Sequence, residues 1–184
     1  MTDAPIRCPE ERMRELLSRL GRGELHDLAE VDQMMHDFPL DPRLHFLHAS
    51  LLAGQRRYEE ARAGMAEAVR LAPDYEIARF QLGFLHFTSG FPQEAAATWE
   101  PLADLAPEHP LRFFSLGLNK LACDEFTVAI ECLTAGTKKN QIYPSLNKDM
   151  NLIIETVRTQ LSGEDQQLSP TQALLRQYRE KTKH

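Results

Sequence analysis

The side chains here that could do chemistry by type and spacing are three histidines, two groups of glutamates and three cysteines. His45 and His48 stand three apart, which places both on one face of a helix, and His86 could join them as a third metal ligand. No fourth ligand can be identified, so the histidines read better as partly buried substitutes at core positions. Glu59-Glu60 and Glu94 would have to share a pocket to act as an acid–base pair. At expected helix starts they have a simpler role, complementing the helix dipole. Cys8, Cys123 and Cys132 are odd in number and lack CxxC spacing, which suits reduced thiols better than a disulfide frame or zinc site. Nucleophile elbows, phosphate loops and HExxH patterns are absent. The expectation is a chain with no catalytic residue, no metal and no cofactor.

Something else must organise these residues, and length and composition bound what it is. The chain has 184 residues, 42% apolar and 26% charged, enough to bury a core. Its net charge of −6 argues against nucleic acid, because phosphate binding needs Lys and Arg concentrated on one face. No run of 18 apolar residues exists, and Met1-Thr2-Asp3-Ala4-Pro5 lacks the basic, then apolar, start of a secretory signal. A cytoplasmic location without membrane insertion is expected.

The organising feature is a period. Ala61, Ala95 and Ala129 recur every 34 residues, each followed four places later by a larger side chain, Met65, Trp99 and Leu133. The same step links Ala49, Gly83 and Gly117, links Leu82 to Leu116, and links Pro39, Pro73 and Pro107. A repeat of this length points to stacked helical hairpins, since one hairpin cannot bury its apolar face alone. Three repeats follow, Pro42 to Tyr75, Glu76 to His109 and Pro110 to Tyr143. The small residues at the eighth place and the alanines at the twentieth are expected to face each other inside each hairpin. In the second repeat, Ile77 to Thr88 and Gln93 to Leu105 read as the two helices, with Ser89-Gly90-Phe91-Pro92 as the turn. Pro101 inside the second of them should kink it or end it early.

The domain reading is therefore a degenerate N-terminal helical repeat over 1–41, three repeats over 42–143, a capping helix over 144–161, and a linker with a short basic C-terminal helix over 162–184. In the first of these, Glu10 to Leu20 and Glu24 to Asp37 read as helices around Gly21 and Gly23. Asn147 is expected to cap the closing helix, whose apolar set is Met150, Ile153, Ile154, Val157 and Leu161. Beyond a polar stretch, Ser162 to Gln167, the run Ser169-Pro170-Thr171-Gln172 is a capping-box pattern before a helix with Leu174, Leu175 and Tyr178 on its apolar side.

Position by position, residues 42 to about 140 resemble the tetratricopeptide repeat family. Repeat two supplies Leu82, Gly83, Ala95, Trp99 and Pro107 of its pattern; repeat three supplies Phe113, Leu116, Gly117, Ala129, Leu133 and Gly136; repeat one supplies Ala49, Tyr58, Ala61, Met65, Ala68 and Pro73. His45 and His48, Leu102 and Gln141 depart from it. The resemblance implies an all-α, right-handed superhelix of helical hairpins, a solenoid whose concave groove is lined by the first helices and binds peptides or partner helices. It also implies which places face the groove: Phe46 in repeat one, Ile77, Phe80, Phe84 and Phe87 in repeat two, Leu111, Phe114, Leu118 and Leu121 in repeat three. Ser145, Lys148, Leu152 and Glu155 follow on the next helix, and Arg43, Ser50 and Ala53 flank the other side. The carboxylate clamp known in that family would need Lys, Asn and Arg where this chain has Phe46, Ser50, Gln81, Leu111 and Ser115.

An apolar stripe at helical spacing is commonly plain core, and Ala78, Leu82 and Leu85 already provide one on the same helix. A second stripe needs a cover. The functional reading is a non-enzymatic protein–protein interaction module, an adaptor, scaffold or chaperone-like chain, holding an apolar peptide or helix of another protein. The alternative is a structural subunit whose groove is filled by its own C-terminal helix or by a second copy in a homodimer. The layout is also similar to that of the type III secretion chaperones for translocator proteins.

Overall fold

The computed structural model describes residues 7–22, 28–162 and 169–182. Met1 to Pro5, Gly23, Glu24 and most of the polar linker, all used in the sequence reading, lie outside these. Ten α-helices follow in order: α1 Glu10–Gly21, α2 Ala29–Asp37, α3 Pro42–Gly54, α4 Tyr58–Leu71, α5 Glu76–Thr88, α6 Pro92–Trp99, α7 Pro110–Ala122, α8 Phe126–Lys139, α9 Leu146–Ser162 and α10 Pro170–Thr182. Two compact units divide the chain, Met1–Arg79 and Phe80–His184, with the division inside α5.

The 34-residue period reappears in the backbone as one turn used three times. Arg56, Gly90 and Asp124 follow the first helix of each hairpin, all in the left-handed region with φ of 64°, 88° and 59°. The next residue's N–H then reaches back to close the helix end: Arg57 to Leu52, Phe91 to His86 and Glu125 to Lys120, each at 2.9 Å. Companion bonds join Arg56 to Ala53, Gly90 to Phe87 and Asp124 to Leu121, which makes each turn a Schellman motif. Only Gly90 signals this conformation by residue type. Asp tolerates it through its short polar side chain, whereas Arg56 bears the full steric cost. Arg56→Gly is therefore expected to stabilise the protein by about 0.5–1 kcal/mol, and Gly90→Ala to destabilise it by a similar amount, read from urea midpoints at unchanged slope.

A second recurring turn starts each hairpin. The N–H groups of Asp41, Tyr75 and His109 donate to the carbonyls of Phe38, Ala72 and Ala106, with Pro39, Pro73 and Pro107 second in each turn, where a fixed φ suits the geometry. Before α9 the period's proline place is taken by Gln141, and the proline turn falls three residues later, where the Leu146 N–H donates to the Tyr143 carbonyl at 3.0 Å with Pro144 second. At the period's own place the Tyr143 N–H donates to the side-chain oxygen of Asn140 at 2.9 Å, while the Asn140 amide donates to the Tyr143 carbonyl and, at 2.8 Å, to Asn147 Oδ1. Asn140 is 5% exposed, so a buried side chain ties the end of α8 to the proline turn that starts α9. It also corrects the expected cap: α9 starts at Leu146, and Asn147 lies inside its first turn.

In the first unit Met13, Leu16, Val31, Met34, Phe38, Leu44 and Leu47 form one core with Cys8. α2 is described from Ala29, and the expected start at Glu24 lies outside the described residues. Asp41 is fully buried beneath this core's entry and is the hub of a polar cluster. Its carboxylate accepts from the N–H groups of Cys8 at 2.9 Å and Arg43 at 3.0 Å, capping α3, and from the Arg43 guanidinium at 2.8 Å. Arg43 also donates to the Cys8 carbonyl and pairs with Glu10.

In the second unit the hairpin interior departs from expectation in one respect. The crowded partner of the small residue at place eight is the bulky side chain at place twenty-four: a Cβ on Gly83 would stand 2.2 Å from the Trp99 ring nitrogen, and one on Gly117 would stand 2.8 Å from Leu133. Trp99 is 1% exposed and its Nε1–H donates to the Phe80 carbonyl at 3.0 Å. Pro101 acts as the sequence implies. α6 stops at Trp99 and Glu100–Asp104 continues as a 3-10 helix. Beside that shortened helix a recess of about 200 Å³ lined by Trp99, Ala103 and Leu116 leaves Leu116 45% exposed, whereas its repeat counterpart Leu82 is buried. Met150, Ile153, Ile154 and Val157 of α9 are buried, and Leu161, expected with them, is exposed.

Candidate functional site: the apolar face of the second unit

α5 turns Phe80, Phe84 and Phe87 to one side, and α7 turns Leu111, Phe114, Leu118 and Leu121 to one side, by simple helical spacing. Six of the seven are closed off: Phe80, Leu111, Phe114, Leu118 and Leu121 are fully buried and Phe87 is 1% exposed. Phe84 is half-buried. The aromatic rings form a connected set. Phe80 lies 6.2 Å from Phe84, 6.0 Å from Trp99 and 6.0 Å from Phe114 between centroids, and Phe87 lies 6.2 Å from Trp99. Phe80 and Phe87 thus pack into the hairpin interior, and Phe84 is the ring of the α5 set that retains exposure.

Against Phe84 stands Tyr178 of α10, edge-on at 6.0 Å with an interplanar angle of 88°, the favoured arrangement for two rings. Leu174, one turn earlier, is fully buried. At the start of the helix the Thr171 hydroxyl donates to the Leu121 carbonyl at 2.7 Å and lies 3.0 Å from Asp124 Oδ1. The capping box expected from the sequence is formed: Gln172 N–H donates to Ser169 Oγ at 3.2 Å and Ser169 N–H to Gln172 Oε1 at 3.1 Å. α10 also packs on α9. The contact of Thr171 with Asp124 escaped the sequence reading, since neither is apolar and nothing local marks a contact across 47 residues.

Phe46 and Ile77 belong to the first unit. Both are half-buried, and Phe46 packs on Tyr75 with centroids 5.3 Å apart. Two hydroxyls at the clamp places are spent on their own helices, Ser50 on the Phe46 carbonyl at 2.8 Å and Ser115 on that of Arg112 at 3.2 Å.

The other chemistry-bearing side chains are placed apart. His45 Nε2 meets the Pro39 carbonyl at 2.7 Å, while His48 Nε2 meets Asp32 Oδ1 at 3.0 Å. Among the described residues no group of three or more His, Cys, Asp or Glu is arranged to hold a metal ion. Glu60 is bound by Arg57, whose hydrogen bonds hold its carboxyl below the usual range, and Glu59 pairs with Arg62. The cysteines are free thiols. Burial pushes Cys8 and Cys132 up, with Asp41 and Glu131 adding to it respectively, and Cys123 is exposed. Among the described residues no helix is long and apolar enough to cross a membrane.

Neither a family model nor a curated protein sequence matches this chain. Among solved structures it is similar to one described as "MamA RS-1 ArsTM double mutant", at a TM-score of 0.57 and 15% identity, over 93% of this chain and 94% of that one. With that neighbour it shares an all-α fold of packed helical hairpins of the tetratricopeptide type.

Proposed function

We propose that this chain is a tetratricopeptide-repeat protein acting as a non-enzymatic interaction module, and that its second unit engages an apolar helix or peptide of another protein through the face centred on Phe84. One observation carries the reading. A continuous aromatic layer, Phe80, Phe84, Phe114 and Trp99, ends in a ring that a short amphipathic helix already covers. A face that accepts the Tyr178 ring of one helix has the chemistry to accept another, the helix-in-groove mode of recognition. Phe46 and Ile77 are proposed as a separate apolar contribution of the first unit.

Phe114 is too deeply buried to serve as a probe, because a charge there would strike the core. Phe84→Asp is the informative change. The variant is expected to keep the wild-type far-UV spectrum and to lose partners in a quantitative pull-down from the native cell lysate. Identical protein sets captured by the folded variant and the wild type would refute the reading.

A further inference from the structure

Three residues of α10, one at the end of α7, one buried and one against Phe84, form a single stripe. Thr171, Leu174 and Tyr178 stand at i, i+3 and i+7, so one side of the helix carries a hydroxyl, a branched apolar chain and an aromatic ring in a fixed order. Each meets a different feature. The hydroxyl caps the Leu121 carbonyl at the end of α7, where a helix leaves its last carbonyls without intrahelical partners. Leu174 is fully enclosed, and Tyr178 sits edge-on to Phe84. Charge agrees as well: the N-terminus of α10, the positive end of its dipole, begins beside the Asp124 carboxylate and the negative end of α7.

We propose that this face is a receptor for a short amphipathic helix with a hydroxyl, a leucine and an aromatic at i, i+3 and i+7. α10 is the chain's own tethered copy of that ligand, and a partner protein's helix of the same pattern takes its seat by competition. This rests on the interaction reading above and adds to it the partner's recognition pattern and an internal competitor. Tethering gives α10 an effective concentration on the order of 1 mM, so an outside helix must bind well or find the inner one weakened.

The test uses full-length protein and a fluorescein-labelled synthetic peptide of residues 169–182. Leu174→Asp in the protein should weaken the inner helix, and the peptide should then bind at least tenfold tighter to this variant than to wild type by anisotropy. A peptide carrying the same Leu174→Asp change should not bind. Adding Phe84→Asp to the receptor should cost at least tenfold. If Leu174→Asp lowers the helical signal, the double change Thr171→Val, Tyr178→Ala serves in its place. No binding of the peptide to either weakened receptor, or equal binding of the Leu174→Asp peptide, overturns the proposal. A Phe84-dependent partner in the pull-down with no peptide binding would leave the interaction reading standing and remove this one. Peptide binding with no such partner would do the reverse for the outside ligand, leaving α10 a purely structural cover.

Discussion

Gly83→Ala is expected to destabilise the protein by about 3 kcal/mol, although alanine in place of a helical glycine is normally a gain. The added Cβ would sit 2.2 Å from Trp99 Nε1 and 2.5 Å from the adjoining ring carbon, distances that force the indole to move. The ring has nowhere to go. It is 1% exposed, packed between Phe80 and Phe87, and tied by its N–H to the Phe80 carbonyl. Displacing it adds an overpacking cost of about 1–3 kcal/mol to the loss of a buried hydrogen bond worth about 1 kcal/mol. The two residues should therefore be strongly coupled. Trp99→Phe alone is expected to be costly too, yet Gly83→Ala added to Trp99→Phe should cost less than Gly83→Ala in the wild type, by about 1 kcal/mol or more in a double-mutant cycle. Additive effects in thermal or urea unfolding would mean that the contact is not what fixes the hairpin spacing.

Asp41→Asn is expected to cost about 2–3 kcal/mol at neutral pH, chiefly because it removes the charge that pairs with Arg43 while leaving the guanidinium in place. The fully buried carboxylate accepts from two backbone N–H groups and the guanidinium together. Burial alone would raise its pKa. The hydrogen bonds from Arg43 and from the Cys8 N–H outweigh that, and the net shift is downward. The Arg43 guanidinium is held correspondingly more firmly protonated, first by Asp41 and against its own burial. A carboxyl whose folded pKa lies below its unfolded value of about 3.9 contributes stability above that pH and loses it as pH falls through the folded value. The stability gap between wild type and Asp41→Asn should thus be constant above about pH 5 and shrink steadily below about pH 4. A gap independent of pH down to acid unfolding would show that the charge on Asp41 does nothing for the fold.

These two sites also show what was legible in the sequence. The period of 34 sets where each hairpin starts and turns: helices open at Pro42, Glu76 and Pro110, the first places of the three repeats, and in repeat two this is one residue before the expected Ile77. Pro101 ends its helix because a missing N–H cannot be supplied by neighbours. Which residue crowds place eight was not legible, since a repeat pattern lists small positions without saying which large side chain leans over them. The turns hid in the same way. Arg56 and Asp124 hold a conformation that only Gly90 advertises, because tertiary closure overrides residue preference there. For the candidate face, helical spacing found the stripe Phe80, Phe84 and Phe87 but could not separate interior from rim; Phe80 and Phe87 are turned inward by Trp99. α10 itself was legible to its capping box. Its seat was not, because Thr171 meets Asp124 across a sequence distance that no local pattern spans.

The buried Asn140 bridge ahead of α9 has a consequence on the timescale of the protein's ageing. A proline turn is chemically inert, whereas an asparagine amide can hydrolyse to a carboxylate. That product would still accept the Tyr143 N–H, but it would replace a donor with an acceptor facing the Tyr143 carbonyl and Asn147 Oδ1. Two attractive contacts would become repulsive inside a buried site, at the junction that seats α9. The junction ahead of α9 would then age by the chemistry of one side-chain amide.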